Sequence, residues 1–128
     1  MARDRGRGVG ADPARLGRTA RLRRRREFLE VQERGERVYS GELVVLALAT
    51  GAVRPRIGIT VSSKVGNAVE RNRVKRWVRH AWREVARGLP AVDVVVIGRR
   101  AALGAGLEGA RRALGRAREV LAGPRRSP

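Results

Sequence analysis

Residues 63–87, SKVGNAVERNRVKRWVRHAWREVAR, decide how the rest of the chain is read. The stretch opens as a short polar loop holding Lys64, Gly66 and Asn67, and continues as a helix. Asn67 suits the N-cap, because its side-chain oxygen can accept from a free amide of the first turn; Glu70 stands at the capping-box spacing. Successive helical residues are about 100° apart. On that wheel Val74, Trp77, Val78, Ala81, Trp82 and Val85 share one arc. Arg73, Lys75, Arg76, Arg79, Arg83 and Arg87 fill the opposite arc, together with Asn72 and the chain's one histidine, His80. A solvated helix face usually mixes acids with bases to form i,i+4 pairs. From Arg71 to Arg87, six arginines and Lys75 stand against one acid, Glu84. Such a face repels itself and points to a polyanionic partner.

Working outward, the residues before this stretch alternate. Ile57, Ile59 and Val61 point one way; Arg56, Gly58, Thr60 and Ser62 point the other, so Arg56 to Ser63 reads as a strand. Its second face is small and polar, which suits either the floor of a groove or an ordinary solvent-facing side. Upstream, Glu42 to Ala49 (ELVVLALA) is a nearly continuous apolar run, expected to be a strand buried on both faces. Thr50 to Pro55 makes the turn between the two. A short helix is expected over Glu27 to Arg34, ended by Gly35 as a C-cap. Phe28 and Val31 share a face of it; Phe28 is either a core anchor or a platform for a base. Downstream, Gly88 and Pro90 stop the central helix, and Val92 to Gly98 (VDVVVIG) reads as another buried strand. The glycine-rich piece from Gly98 to Gly109 has neither the GxxxxGK[ST] pattern nor dinucleotide glycine spacing. A last helix is expected from about Leu107 to Leu121, with Leu107, Ala110, Leu114, Ala117 and Leu121 buried. Residues 1–20 and 123–128 read as loose tails around a single domain over residues 21–122, whose cationic helix face suits a polyanion. The result is an α+β fold: a small two-layer α/β sandwich of about four strands and three helices, in the order α-β-β-(β)-α-β-α.

Composition narrows the function. The chain has 128 residues and a formal charge of +18. The charge comes in blocks: net +8 over residues 1–26, −3 over residues 27–53, +8 over residues 54–87 and +5 over residues 88–128. Arginine supplies nearly all of it, since Lys64 and Lys75 are the only lysines. The guanidinium fork suits phosphate and stacks on bases. There is no cysteine, which excludes disulfides and thiolate zinc sites, and one histidine leaves no cluster for a metal. No apolar run approaches a membrane span, and the first twenty residues lack the apolar segment of a secretory signal. The expectation is a cytoplasmic protein that binds no metal and has no catalytic residue of its own: neither a Ser-His-Asp nor a Cys-His set is available. A ribosomal or RNA-chaperone protein would share this charge and architecture.

One resemblance is more specific. Gly66, Asn67 and Ala68, followed by Arg71, Asn72, Arg73, Val74, Lys75 and Arg76 with Arg79 one turn on, resemble the protein subunit of bacterial ribonuclease P. The similarity runs from about Leu22 to Leu121 and takes in Glu27–Phe28, Gly35, the Arg56 to Ser62 strand and the VDVVVIGRR strand end. It implies a protein that binds a large catalytic RNA and helps it remove the 5′ leader of precursor tRNA, one protein per RNA. It also implies that the RNA holds the Mg²⁺ and performs the hydrolysis. Lys64, Asn67, Arg71, Asn72, Arg73, Lys75, Arg76 and Arg79 would then dock the catalytic RNA. Phe28, Arg56, Gly58, Thr60 and Ser62 would line a cleft for the single-stranded leader. A left-handed crossover around the central helix is also implied, against the usual rule. The chain departs from the family at Gln32, where relatives often carry a second aromatic, at Leu46, where some carry a tyrosine, and at Ser63, where many carry lysine.

Overall fold

The computed structural model describes residues 21–22, 24–49 and 54–122. The expected tails over residues 1–20 and 123–128, and most of the Thr50–Pro55 turn, lie outside them. The described elements are α1 (Arg25–Arg34), β1 (Glu36–Tyr39), β2 (Leu43–Leu48), β3 (Arg56–Thr60), α2 (Ala68–Ala86), β4 (Asp93–Gly98) and α3 (Ala102–Ala122). The sheet has the order β1-β2-β4-β3. β2 is antiparallel to both neighbours, whereas β3 and β4 run parallel and are joined through α2.

β2 is buried at all six positions, as its unbroken apolar run requires. The reason is that the sheet is covered on both sides. Leu43, Val45 and Ala47 meet Val74, Val78 and Trp82 of α2 and Ala113 and Leu114 of α3. Val44, Leu46 and Leu48 meet Val31 and Phe28 of α1, with Leu22 and Val95. Each large aliphatic side chain buried in this way contributes about 1.5–3 kcal/mol. α2 and α3 lie side by side on one face, and α1 crosses the other over β2 and β4.

Three local features differ from the sequence-based expectation. Gly35 does end α1, but in an extended conformation (φ −76°, ψ 159°), not a left-handed one. Glycine is required for proximity: a Cβ would lie 2.6 Å from the Val31 carbonyl oxygen and 2.9 Å from that of Ala47. The last helix begins at Ala102 instead of Leu107, because Gly106 (φ 66°, ψ −162°) breaks it into a first turn and a main body. In that main body Ala110, Leu114 and Ala117 are buried as expected, joined by Ala113, while Leu107 is only half-buried. Finally, the fourth strand is β1, a four-residue piece that follows α1 directly.

β3 is the sheet's margin, and it is not bare. Arg21 forms a parallel bridge with Ile57, and the Leu22 N–H donates to the Ile57 carbonyl at 2.9 Å. The segment leading into α1 therefore seals part of that margin, which is otherwise open to pairing with another chain.

Candidate nucleic-acid interface

The central helix is held at its start by the reciprocal cap read from the sequence. The Glu70 N–H donates to Asn67 Oδ1 at 2.9 Å, and the Asn67 N–H donates to Glu70 Oε1 at 2.9 Å. Asn67 thus spends its side-chain oxygen on the helix. The apolar arc packs inward as expected: Val74, Val78, Ala81, Trp82 and Val85 are buried, and Trp77 is half-buried against the same core. Asn72, Arg73, Arg76, His80, Arg83 and Arg87 are exposed, while Arg71, Lys75 and Arg79 are half-buried.

The basic face of α2 is electrostatically uncompensated. Among the described residues no acid pairs with Arg73, Lys75, Arg76, Arg79 or Arg83. On α3 the opposite holds: Arg111 pairs with Glu84 and Glu108, and Arg112 and Arg116 pair with Glu42. Both helices look basic in sequence, but three arginines of α3 are tied to acids whereas the five named cations of α2 are not. Partial burial, then the nearby charges of Arg21 and Arg83, push the Arg79 guanidinium below its ordinary range. It stays cationic at any physiological pH; the shift records first its partial burial and then the like charges near it.

Lys75 and Arg79, one turn apart, lean toward β3. There they line an open pocket of about 160 Å³ with Arg21, Leu22, Phe28, Ile57, Gly58 and Ile59. This pocket brings together members of both predicted residue sets, Lys75 and Arg79 from one and Phe28 and Gly58 from the other. Gly58 has a steric reason to be glycine. A Cβ there would lie 2.5 Å from two ring carbons of Phe28 and 3.2 Å from Leu22 Cβ, so the ring lies directly over the Gly58 backbone. Phe28 packs on the α1-side core and remains half-exposed at the pocket. Arg21 and Leu22 belong to the pocket too. Nothing in their local pattern marked them, because they reach it through the bridge to Ile57.

Arg56 lies on the same sheet face and is fully engaged within the protein. Its Nε donates to Asp93 Oδ1 at 2.8 Å and its Nη2 to Asp93 Oδ2 at 2.6 Å, while Nη1 donates to Glu27 Oε2 at 3.1 Å. The hydrogen bond to Asp93, opposed by burial, raises the Arg56 pKa. Asp93, 2% exposed, is the buried charged residue of the described core. Glu27 also accepts from the Arg24 N–H at the start of α1. The network therefore ties the beginning of α1, and with it Phe28, to β3 and β4. Ser62 is exposed, and its Oγ accepts from the Lys64 N–H at 3.3 Å. Thr60 is half-buried at the end of β3, and Lys64 is exposed in the loop before α2.

Among the described residues no group of three or more His, Cys, Asp and Glu is placed to hold a metal ion. No described helix is long and apolar enough to cross a membrane.

Comparison with known proteins agrees with this arrangement. The family model described as Ribonuclease P matches residues 16–121. The ribonuclease P protein component of Gluconacetobacter diazotrophicus is 52% identical over 85 residues, covering 64% of this chain and 73% of that one. The protein of the same name from Desulfovibrio desulfuricans is 43% identical over 99 residues, covering 75% of this chain and 76% of its own. Among solved structures, the RNase P protein of Staphylococcus aureus superposes with a TM-score of 0.71 at 27% identity, over 79% of this chain and 94% of that one. That of Thermotoga maritima gives 0.66 at 35% identity, over 75% and 92%. A sheet with a capped basic helix on one side, and a profile match over nearly all of the described residues, place this chain in the ribonuclease P protein family.

Proposed function

We propose that the basic face of α2 docks the catalytic RNA of ribonuclease P, and that the sheet face beside α1 receives the single-stranded 5′ leader of precursor tRNA. The observation that carries this reading is the pocket at the β3 margin, where Lys75 and Arg79 meet Phe28 and Gly58. There, cations of the RNA-docking face border an aromatic ring of the leader cleft. Arg71, Arg73 and Arg76 can fork onto phosphates, with Lys64 at the helix start and Asn72 able to meet a base edge. Phe28 offers a ring to an unpaired base, a contact worth about 1–3 kcal/mol. Thr60 and Ser62 supply small polar groups along the strand. Arg56 acts through Glu27 by holding α1 at its distance from the sheet.

Magnesium ions held by the RNA supply the hydrolytic chemistry; this chain's residues bind, orient and neutralise. Two RNAs brought side by side repel through their phosphates, and unpaired cations between them lower that repulsion. One protein per RNA satisfies this arrangement.

Reconstitution tests it. The full chain, added to a bacterial ribonuclease P RNA at low Mg²⁺, should stimulate removal of the leader from a precursor tRNA, while the protein alone should cleave nothing. Tight RNA binding without stimulation would favour a ribosomal or RNA-chaperone role instead.

A further inference from the structure

The strand register arranges the α1-side face in rows running across the sheet. One row is Arg56, Asp93 and Leu48; the next is Gly58, Val95, Leu46 and Arg37; the third is Thr60, Ile97, Val44 and Tyr39. α1 covers the first two, in which Asp93, Leu48, Val95 and Leu46 are all buried. The third row opens progressively. Thr60 and Ile97 are half-buried, Val44 is 9% exposed and Tyr39 is 65% exposed. A strip of floor thus runs from the end of β3, beside Phe28 and Gly58, to the far margin of the sheet at β1. With strands about 4.8 Å apart, it is roughly 14 Å long.

Tyr39 ends that strip, and the surroundings suit a polyanion. Arg99 follows β4 on the same side: its N–H donates to the Glu42 carbonyl, and its Nη1 donates at 3.5 Å to the carbonyl of Ser40, next to Tyr39. Arg37, exposed, stands two residues before Tyr39 on the same face. The chain has four aromatic side chains; Trp82 is buried, Trp77 packs on the core, and Phe28 and Tyr39 flank the α1-side face. The Arg37 guanidinium donates to the Gln32 carbonyl at 3.3 Å, while that of Arg99 is held next to Tyr39. An exposed ring with one guanidinium close by and a second arginine on the same strand face, at the end of a partly apolar strip, has the composition of a stacking platform for single-stranded RNA.

We infer that Tyr39, with Arg99 and Arg37, forms a second base-stacking station for single-stranded RNA, at the end of the cleft floor opposite Phe28. This rests on the proposed leader cleft and extends it: the leader runs across the sheet along the Thr60–Ile97–Val44–Tyr39 row. Phe28 shares its pocket with Lys75 and Arg79 of the face proposed to dock the catalytic RNA, so the base on Tyr39, at the opposite margin, is assigned to the part of the leader farther from the cleavage site.

A leader-length series tests the inference with the reconstituted holoenzyme. Affinity is measured for precursor tRNAs whose leaders grow one nucleotide at a time, for the unaltered chain and for Phe28→Ala, Tyr39→Ala and Tyr39→Phe. Tyr39→Ala should lower affinity about tenfold, but only above a leader length greater than the length at which Phe28→Ala begins to matter. Tyr39→Phe should keep most of the affinity, since the ring remains. Because Tyr39 is exposed, thermal unfolding of both Tyr39 variants should match the unaltered chain. A Phe28 threshold without a Tyr39 threshold overturns this inference and leaves the leader cleft standing. If neither variant depends on leader length, the leader cleft itself fails. A Tyr39→Ala chain that changes only its sedimentation, with leader affinity intact at every length, would assign the ring to self-association and also overturn the inference.

Discussion

At the scale of single residues, the sharpest contrast is between arginines that look alike in sequence. Arg73 is exposed and unpaired, and Arg56 is locked to two acids. Arg73→Ala should therefore weaken binding to the catalytic RNA in a filter titration at fixed Mg²⁺, by about 1–2 kcal/mol for a lost charge-assisted contact, without shifting thermal unfolding. Asp93→Ala should do the reverse. It strips Arg56 of its bidentate partner and should destabilise the fold by about 3 kcal/mol in urea unfolding. Phe28→Ala should chiefly reduce affinity for precursors bearing a leader; equal losses for mature tRNA would contradict the cleft. The sequence marked Phe28, Gly58 and the α2 arginines because periodicity and motif order are local signals. It gave no warning of Arg56 with Asp93, which are 37 residues apart and meet only because β3 and β4 are parallel neighbours. Nor did it single out Tyr39, whose exposure depends on how far α1 reaches across the sheet.

At the scale of elements, the central helix was the most legible and the last helix the least. The cap, the apolar arc and the cationic arc of α2 all follow from residues within a few turns of one another. α3 was read five residues short, since glycines at 104, 106 and 109 hide the start of a helix from propensity arguments. Two substitutions there should move stability in opposite directions. Gly106→Ala forces a side chain into a positive-φ, extended conformation open essentially to glycine alone, and should cost about 1–3 kcal/mol. Gly115→Ala, in the regular part of α3 with nothing within 4 Å of the added carbon, should stabilise by about 0.5–1 kcal/mol. Denaturant midpoints of the two variants against the unaltered chain would decide both. β1 was hard to read for another reason: four half-exposed or exposed residues straight after a helix carry too little pattern to announce a strand.

For the whole molecule, charge is the governing quantity. With +18 on 128 residues, and a helix face whose cations crowd one another, folding gathers like charges that the unfolded chain keeps apart. Any polyanion that binds the folded face preferentially must then stabilise it by mass action. Adding a short RNA oligonucleotide, or at higher concentration sulfate, should raise the melting temperature. An Arg73→Ala, Arg76→Ala double variant should show a smaller rise. Affinity for the catalytic RNA should fall steeply and log-linearly with monovalent salt, and the same double variant should flatten that slope. The overall α+β arrangement was readable because apolar runs and turn residues set the number and kind of elements. The burial of the sheet on both faces was half-readable: β2 announced it, but which helix lay on which side depended on contacts no local pattern records.

The seal on the β3 margin carries a consequence for how this chain matures as it is made. Arg21 and Leu22 are synthesised well before Ile57, the residue they dock against. Until translation has delivered the third strand, those early residues lack the backbone they pair with. A nascent chain stalled between them and Ile57 could shelter Leu22 only against Val31 and the second strand, with its N–H still lacking the carbonyl that receives it.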